Sequence, residues 1–539
     1  ATMQIDKIPL NVNGKVDKRK LPEIKAESSK KKNSAPRELT FLEKKISAII
    51  EKIIGHSDFD ISENLINAGM TSLSVIKLAV ELNKAFGFEA QVKKMMKGCS
   101  VLSIEDELQE FMFSGTANPQ TVKKEEKKEH KALYPLSKTQ LGVYIDCMKN
   151  PYSTLYNIPS ILTFSKSVDA QKLADCVVKV IKAHPYIMTH LSLENDDIEQ
   201  AYVDSAKPNV PVEKLTEEQL EAYKKDFVKP HNLMKAPLFR ISVAETEKAV
   251  YLLSDFHHLI FDGASVALFF EQLKTLYEGG NIEPESYTYF DYAENEIKAE
   301  SSDEFRNAEK FFDNMMKNFE SASEITADLR GHAEDGTLAS QAVPVDMARV
   351  ANFCSQHGIT PAHLFLAGTF YAVSRFVNSR NVYISTISNG RSDMRLTNCF
   401  GMFVKTLALG IEIEDITSLE FVEKSKAVFT DSIENEIYPY AQLCAKYGYA
   451  PNIMYEYQLG VVDNLEIDGK AVVRDYLEMN TAKFKTAIHI EDYKGKPSVV
   501  VQYNDALYSG ELMRTLAKSV LCAVEHIIEN PNGKIRKVS

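Results

Sequence analysis

The stretch Asp255–Ser265, DFHHLIFDGAS, puts two histidines side by side and follows them with an aspartate and a glycine. Three roles use such residues: metal ligation, proton transfer by an imidazole, and plain polar termination of a strand. Adjacent residues of a strand point to opposite faces, so His257 and His258 do not chelate one ion together, and the other histidines are scattered singly. A serine–histidine hydrolase needs a nucleophile elbow, and no G-x-S-x-G occurs in the chain. Acyl transfer stays open beside the structural reading, with an imidazole that accepts a proton or holds an amine in place. Ser72 is the second chemical residue. In NLINAGMTSLSVIKL it follows a turn containing Gly69 and opens a strongly amphipathic helix. A hydroxyl there is either an N-cap, a task that Thr71 can equally take, or an exposed attachment point near backbone donors.

The elements that must carry these residues are legible from periodicity. AVYLLSDFHH is strand-like and ends at the histidine pair, so alternation buries one ring and turns the other to the opposite face. Asp262 and Gly263 then fall in the following turn, where a carboxylate can fix a loop and a glycine lets backbone approach a substrate closely. LFRISVAET, VYISTISNG, MFVKTLALGIEI and PSVVVQYN also read as strands, and DAQKLADCVVKVIKAH as a helix. Residues 133–531 are therefore expected to form an α/β or α+β unit of two lobes, about 133–305 and about 306–531. Upstream, Leu42, Ile46, Ile49, Ile50 and Ile53 recur at helical spacing. SLSVIKLAVELNKAFG does likewise and stops at Gly87, a helix C-cap candidate, and SIEDELQEFMF adds a further helix. Residues 36–113 are expected to be a small helical bundle.

The totals set limits. The chain of 539 residues is too long for one core, which predicts several domains. A net charge of −12 is a poor footprint for nucleic acid, and no apolar run is long enough to span a bilayer, so neither nucleic acid nor a membrane is expected as a partner. The seven cysteines form no C-x-x-C and are odd in number, which reads as reduced thiols of a cytoplasmic protein rather than a disulfide framework or zinc site. No metal is expected. Residues 24–35 and 114–132 are rich in Lys, Glu, Ser and Pro and poor in large apolar side chains, as in mobile linkers. The N-terminus lacks the order of a signal peptide and reads as the start of an excised piece of a longer chain.

Asn64, Leu65, Ile66, Gly69, Ser72 and Leu73 resemble the attachment motif of the peptidyl carrier domains of nonribosomal peptide synthetases, departing from it at Met70 and Thr71. The resemblance implies a carrier domain over 36–113, with 4′-phosphopantetheine held covalently on Ser72 by a phosphopantetheinyl transferase. Tethering makes delivery of an acyl thioester an intramolecular encounter. IDKIPLNVNGKVDKRKLPE resembles the closing motif of an adenylation domain, in which Lys15 would contact substrate. Residues 1–23 are thus expected to be the remnant of an upstream adenylation domain.

His257, His258, Asp262 and Gly263 match the H-H-x-x-x-D-G motif of condensation domains, relatives of chloramphenicol acetyltransferase. YPLSKTQLGVYIDCM, YFDYAENE, SNGRSDMRLTNCFGMFVKTLAL, YPYAQLCAKYG and APNIMYEYQL follow the same family's order. The implied fold class is multidomain: a helical-bundle carrier plus a two-lobed α/β condensation domain with a tunnel between its lobes. The implied reaction is amide formation between the carrier-bound acyl group and an acceptor amine on a downstream carrier. His258 is expected to act as general base or to position the amine, His257 to be structural, Asp262 to hold the loop and Gly263 to line the reaction centre. The family's second motif carries two arginines where this chain has Ala183 and Met188, so Asp262 needs another cation, and Arg391 is the candidate. Residues 532–539 resemble the start of a linker into a next adenylation domain. Two rivals share the motif. An epimerization domain would add a glutamate motif that is not evident, and an inactive recruitment domain tends to lose the second histidine, which this chain keeps.

Overall fold

The apolar spacing around Ile46 and Ile50 becomes α1 (Phe41–Ile54), opened by a reciprocal capping box between Thr40 and Glu43 and closed by Gly55 in the left-handed conformation at φ 82°. The computed structural model describes residues 39–86, 88, 90–113, 131–194, 197–203, 208–333, 336–459, 466–475, 484–493 and 495–535. The expected adenylation remnant at 1–23, the linker at 24–35, nearly all of the linker at 114–132, and Gly87 lie outside the described residues. Helices α2 (Ser72–Phe86), α3 (Val92–Lys97) and α4 (Val101–Phe113) complete the small unit. Its core of Ile46, Ile50, Leu65, Leu78, Leu82, Val101 and Leu108 is sealed from solvent, as a helical bundle requires.

The first lobe begins with β1 (Leu133–Pro135) and α5 (Lys138–Lys149), then β2 (Asn157–Ser165) and α6 (Ala170–Ala183). It continues through β3 (His190–Glu194), β4 (Asp197–Ala201), β5 (Val212–Lys214), α7 (Glu217–Phe227), β6 (Phe239–Glu245), β7 (Ala249–His257), α8 (Gly263–Tyr277) and α9 (Tyr289–Ala299). Every residue of β7 is buried. The reason is position: β7 lies between β2 and β6, with one core cluster holding Leu252 and Phe256 and another, with α7, holding Tyr251 and Leu253. A strand covered on both faces loses polar alternation.

The second lobe runs from α10 (Asp303–Met316) through β8 (Leu338–Pro344), α11 (Met347–His357), α12 (Pro361–Phe376), β9 (Asn381–Ser388) and β10 (Lys405–Glu412). Next come α13 (Ser418–Glu434), α14 (Tyr440–Tyr447), β11 (Ile453–Tyr457), the short strands β12 (Glu466–Ile467), β13 (Lys470–Ala471) and β14 (Val473–Asp475), β15 (Thr486–Asp492), β16 (Pro497–Asn504) and α15 (Gly510–Glu529). Its sheet has the order β10-β9-β11-β15-β16-β8, and β9, β11 and β15 run parallel. Ile384, Ile488, Val499 and Val501 pack one face against α12 and α15, through Phe365, Val520 and Val524.

A division near residue 305 misses two exchanges between the lobes. Leu396, Cys399, Phe400, Met402 and Phe403, which precede β10, sit in the first lobe's core. β14 extends the first lobe's sheet by pairing antiparallel with β2. Both exchanges are non-local and leave no periodicity in the sequence. The segment expected to begin a linker at 532 stays on the second lobe as far as Ile535, which is fully buried, and Lys534 bridges to Thr417.

Candidate active site

β7 delivers the histidine pair to the turn before α8. His257 is 4 % exposed. Its Nδ1 accepts from the Leu259 amide at 3.1 Å, and its Nε2 lies 3.8 Å from Cys147 Sγ on α5. Burial, reinforced by His231, His258 and Arg240, holds its pKa well below the ordinary histidine range. His258 faces elsewhere. Its amide donates to the Tyr156 carbonyl at 2.7 Å, and its Nδ1 stands 3.3 Å from Met402 Sδ of the inserted segment. Tyr156 meets the ring edge-on, while its own hydroxyl donates to Asp146 at 2.9 Å. Between Ala249 and Asp262, His258 alone is partly exposed; all its neighbours are buried. One imidazole is packed away and the other is presented, although β7 itself is buried throughout and shows no alternation.

Asp262 caps α8, accepting from the Ser265 amide at 2.7 Å. It is 1 % exposed and also accepts from the Phe403 amide at 2.9 Å and from Arg391 Nη2 at 3.1 Å. Arg391 is itself 5 % exposed, donates to the Leu396 and Cys399 carbonyls at 2.6 and 2.8 Å and to Ser265 Oγ at 2.8 Å, and lies over the Phe403 ring. The cation proposed from the sequence therefore stands beside the motif aspartate. Gly390 makes this approach feasible: at φ +63° it passes so near Phe403 that a Cβ would sit 1.9 Å from its carbonyl oxygen. Gly263 is exposed, and a Cβ built on it would meet nothing within 4 Å, so open space adjoins the first turn of α8. Tyr156 and Met402, which flank His258, were not singled out from sequence. They reach it by a backbone bond and a lobe exchange, neither of which leaves a local signal.

On the small unit, the cap of α2 is Thr71: its Oγ1 accepts from the Ser74 amide at 3.2 Å. Ser72 is thus the first helical residue, and a helix N-terminus suits a phosphodiester. The helix packs against the turn Met394–Asn398 of the inserted segment, and Met394 packs, partly buried, against the small unit's apolar core. Phosphopantetheine on Ser72 fits this arrangement, because capping falls to the neighbour. Among the described residues no group of three or more His, Cys, Asp or Glu is placed to hold a metal ion, and no helix is long and apolar enough to cross a membrane.

Comparison with known proteins agrees with the geometry. Residues 44–106 match the phosphopantetheine attachment site family, which indicates covalently bound 4′-phosphopantetheine, and residues 130–539 match the condensation domain family. Bacitracin synthase 1 of Bacillus licheniformis is 24 % identical over 99 % of this chain and 10 % of its own length. Tyrocidine synthase 2 of Brevibacillus parabrevis is 22 % identical over 99 % of this chain and 15 % of its own. The chain thus spans only a small part of these relatives. Among solved structures, the X-domain from teicoplanin biosynthesis aligns with a TM-score of 0.66 at 16 % identity, covering 76 % of this chain and 98 % of that one. The first condensation domain of the calcium-dependent antibiotic synthetase, in complex with a substrate analogue, aligns with a TM-score of 0.63 at 15 % identity over 76 % of this chain and 98 % of that one. With a phosphopantetheine attachment domain ahead of it, and the family matched over most of its length, the chain belongs to the condensation domain family.

Proposed function

We propose that this chain catalyses amide formation in nonribosomal peptide synthesis, with its own carrier domain at 36–113 as the donor. The observation that carries the reading is the partial exposure of His258 between the buried His257 and the buried Asp262, at the junction of the two lobes. The arm on Ser72 supplies an acyl thioester whose carbonyl an incoming amine attacks to give the amide. His258 faces that amine and either accepts its proton or holds it by a hydrogen bond. Asp262 and Arg391 keep the start of α8 fixed against the inserted segment, and Gly263 leaves room beside it. The packing of α2 on Met394–Asn398 supports the donor assignment, since that turn belongs to the same inserted segment whose Met402 touches His258.

On this reading residues 1–23 are the end of an adenylation domain, the acceptor carrier and a further adenylation domain lie downstream, and a phosphopantetheinyl transferase modifies Ser72 in the cytoplasm. The decisive experiment loads Ser72 with a synthetic aminoacyl-pantetheine, adds an aminoacyl acceptor carrier and follows mass by intact-protein spectrometry. A dipeptidyl mass on the acceptor is expected from the native chain, and none from His258→Ala, which still loads. Equal product from that variant refutes the assignment of His258.

A further inference from the structure

Behind His257 lies a polar network, buried at Asp255 and His231 and partly exposed at Arg240, that the reaction centre does not touch. Arg240 of β6 is the register partner of Asp255 of β7. Arg240 Nη1 donates to Asp255 Oδ2 at 3.0 Å and to the Lys229 carbonyl at 2.7 Å, and lies 3.0 Å from His231 Nε2; Nη2 donates to the Pro230 carbonyl at 2.8 Å. Asn157 donates to Asp255 Oδ2 at 2.8 Å. Asp255 is 0 % exposed and the His231 side chain 3 %. The His231 and His257 rings meet at 5.7 Å and 78°.

His231 Nε2 stands 3.0 Å from Arg240 Nη1 and 3.4 Å from Asp255 Oδ2, between the cation and the carboxylate. His257 Nδ1 accepts from the Leu259 amide, so its proton is on Nε2, toward Cys147. We propose that Arg240, His231 and Asp255 are positioning residues: they hold His257 as one neutral tautomer and, through its bond to Leu259, fix the turn that presents His258. This inference rests on the reading of His258 given above.

The groups facing His257 set the sign of its pH response. They are Arg240 from β6, His231 from the segment before it, Cys147 on α5, Tyr156 with its ring 6.4 Å away, and His258 beside it. Lys229, at the edge of the network, is paired with Asp226 at 2.7 Å. Without the guanidinium, Asp255 is a buried carboxyl beside His231 at 3.4 Å, whose ring meets His257, and the balance in this histidine pair moves toward an imidazolium. An imidazolium at His257 has no lone pair for Leu259 and repels a proton on His258. The loss is therefore on the acid side.

Arg240 also lines a cavity of about 610 Å³ with Tyr223, Phe227 and Phe239. A small cation can reach its place through this opening, which permits chemical rescue.

The test uses the full chain labelled with ¹⁵N-histidine, with His257 assigned by the loss of its signals in His257→Asn. In the native chain His257 is expected to show the Nε2–H tautomer from pH 8 to pH 5; in Arg240→Ala it titrates within that window. The rate of condensation of Arg240→Ala should fall more than tenfold at pH 6, approach the native rate at pH 8.5 and recover at pH 6 with millimolar guanidinium. Arg240→Lys, which keeps the charge, should follow the native profile. A native His257 bearing its proton on Nδ1, or charged at pH 7, overturns the proposal whatever the activity. A pH-independent loss in Arg240→Ala, unmoved by guanidinium, overturns the coupling to the reaction. Absence of any product from the native chain refutes instead the reading of His258, while the spectra still decide the network.

Discussion

Arg391 at the end of β9 donates to Asp262 at the start of α8 over 3.1 Å, joining two lobes through residues 129 positions apart. Both are almost wholly buried, and further bonds hold the pair in place: Asp262 by Ser265 and Phe403, Arg391 by two carbonyls and Ser265, with Arg391 Nε left without a partner. Removing one partner leaves a buried charge with no counterion. Arg391→Ala is expected to destabilise the condensation unit by about 3–5 kcal/mol, and Asp262→Asn in the same chain to restore part of it. Urea unfolding of the single and double variants, followed by tyrosine fluorescence, measures the coupling.

Gly263 adjoins open space. Gly263→Leu should fold with little change in melting temperature, because nothing lies within 4 Å of the new Cβ, yet slow condensation at least tenfold by filling the space beside His258. A normal rate in a normally folded variant would place the substrate elsewhere.

Met394 packs, partly buried, against the carrier's apolar core. Met394→Asp puts a charge against that core and should weaken the docking of α2. Transfer from the Ser72-bound donor is expected to fall severalfold, while turnover of a free aminoacyl-pantetheine donor stays unchanged. Equal losses with both donors would mean that the substitution disturbs the catalytic unit itself.

His363, which donates its amide to the α12 cap Thr360 and packs near Phe429, is pushed down from 6.5 to about 4, first by burial and then by Lys426. A depressed imidazole favours the folded state while it is neutral. Its contribution is full above the unfolded value near 6.5 and is lost as pH falls toward 4, up to about 3 kcal/mol in all. Denaturant midpoints at pH 7.0, 5.5 and 4.5 should fall more steeply for the native chain than for His363→Gln.

Burial raises the thiols of Cys99 and Cys147 to about 11 and that of Cys354 to about 12, whereas Cys522 is exposed. At pH 7.5 these three carry almost no thiolate, so iodoacetamide should modify Cys522 first and reach them only as pH approaches 11 or the fold opens. Peptide mapping of the labelled chain reads the order directly.

Local pattern was enough to determine the strands ending at His257 and Ser388, through their runs of β-branched and aromatic residues, the helix opened by Ser72, through apolar residues recurring near every fourth position, and the division between a helical unit and a larger mixed one. The opposed directions of adjacent residues separated a packed His257 from a presented His258. What surrounds them was decided only in three dimensions. Arg391 beside Asp262, Met402 beside His258, and Arg240 with His231 behind His257 are meetings of distant segments, and the exchange of residues 396–403 and of β14 between lobes follows no period at all. Sequence spacing records which face a residue must bury; it does not record what that face will be buried against, because a charge or a sulfur finds its partner through the closure of loops whose length leaves no mark on the residues they join.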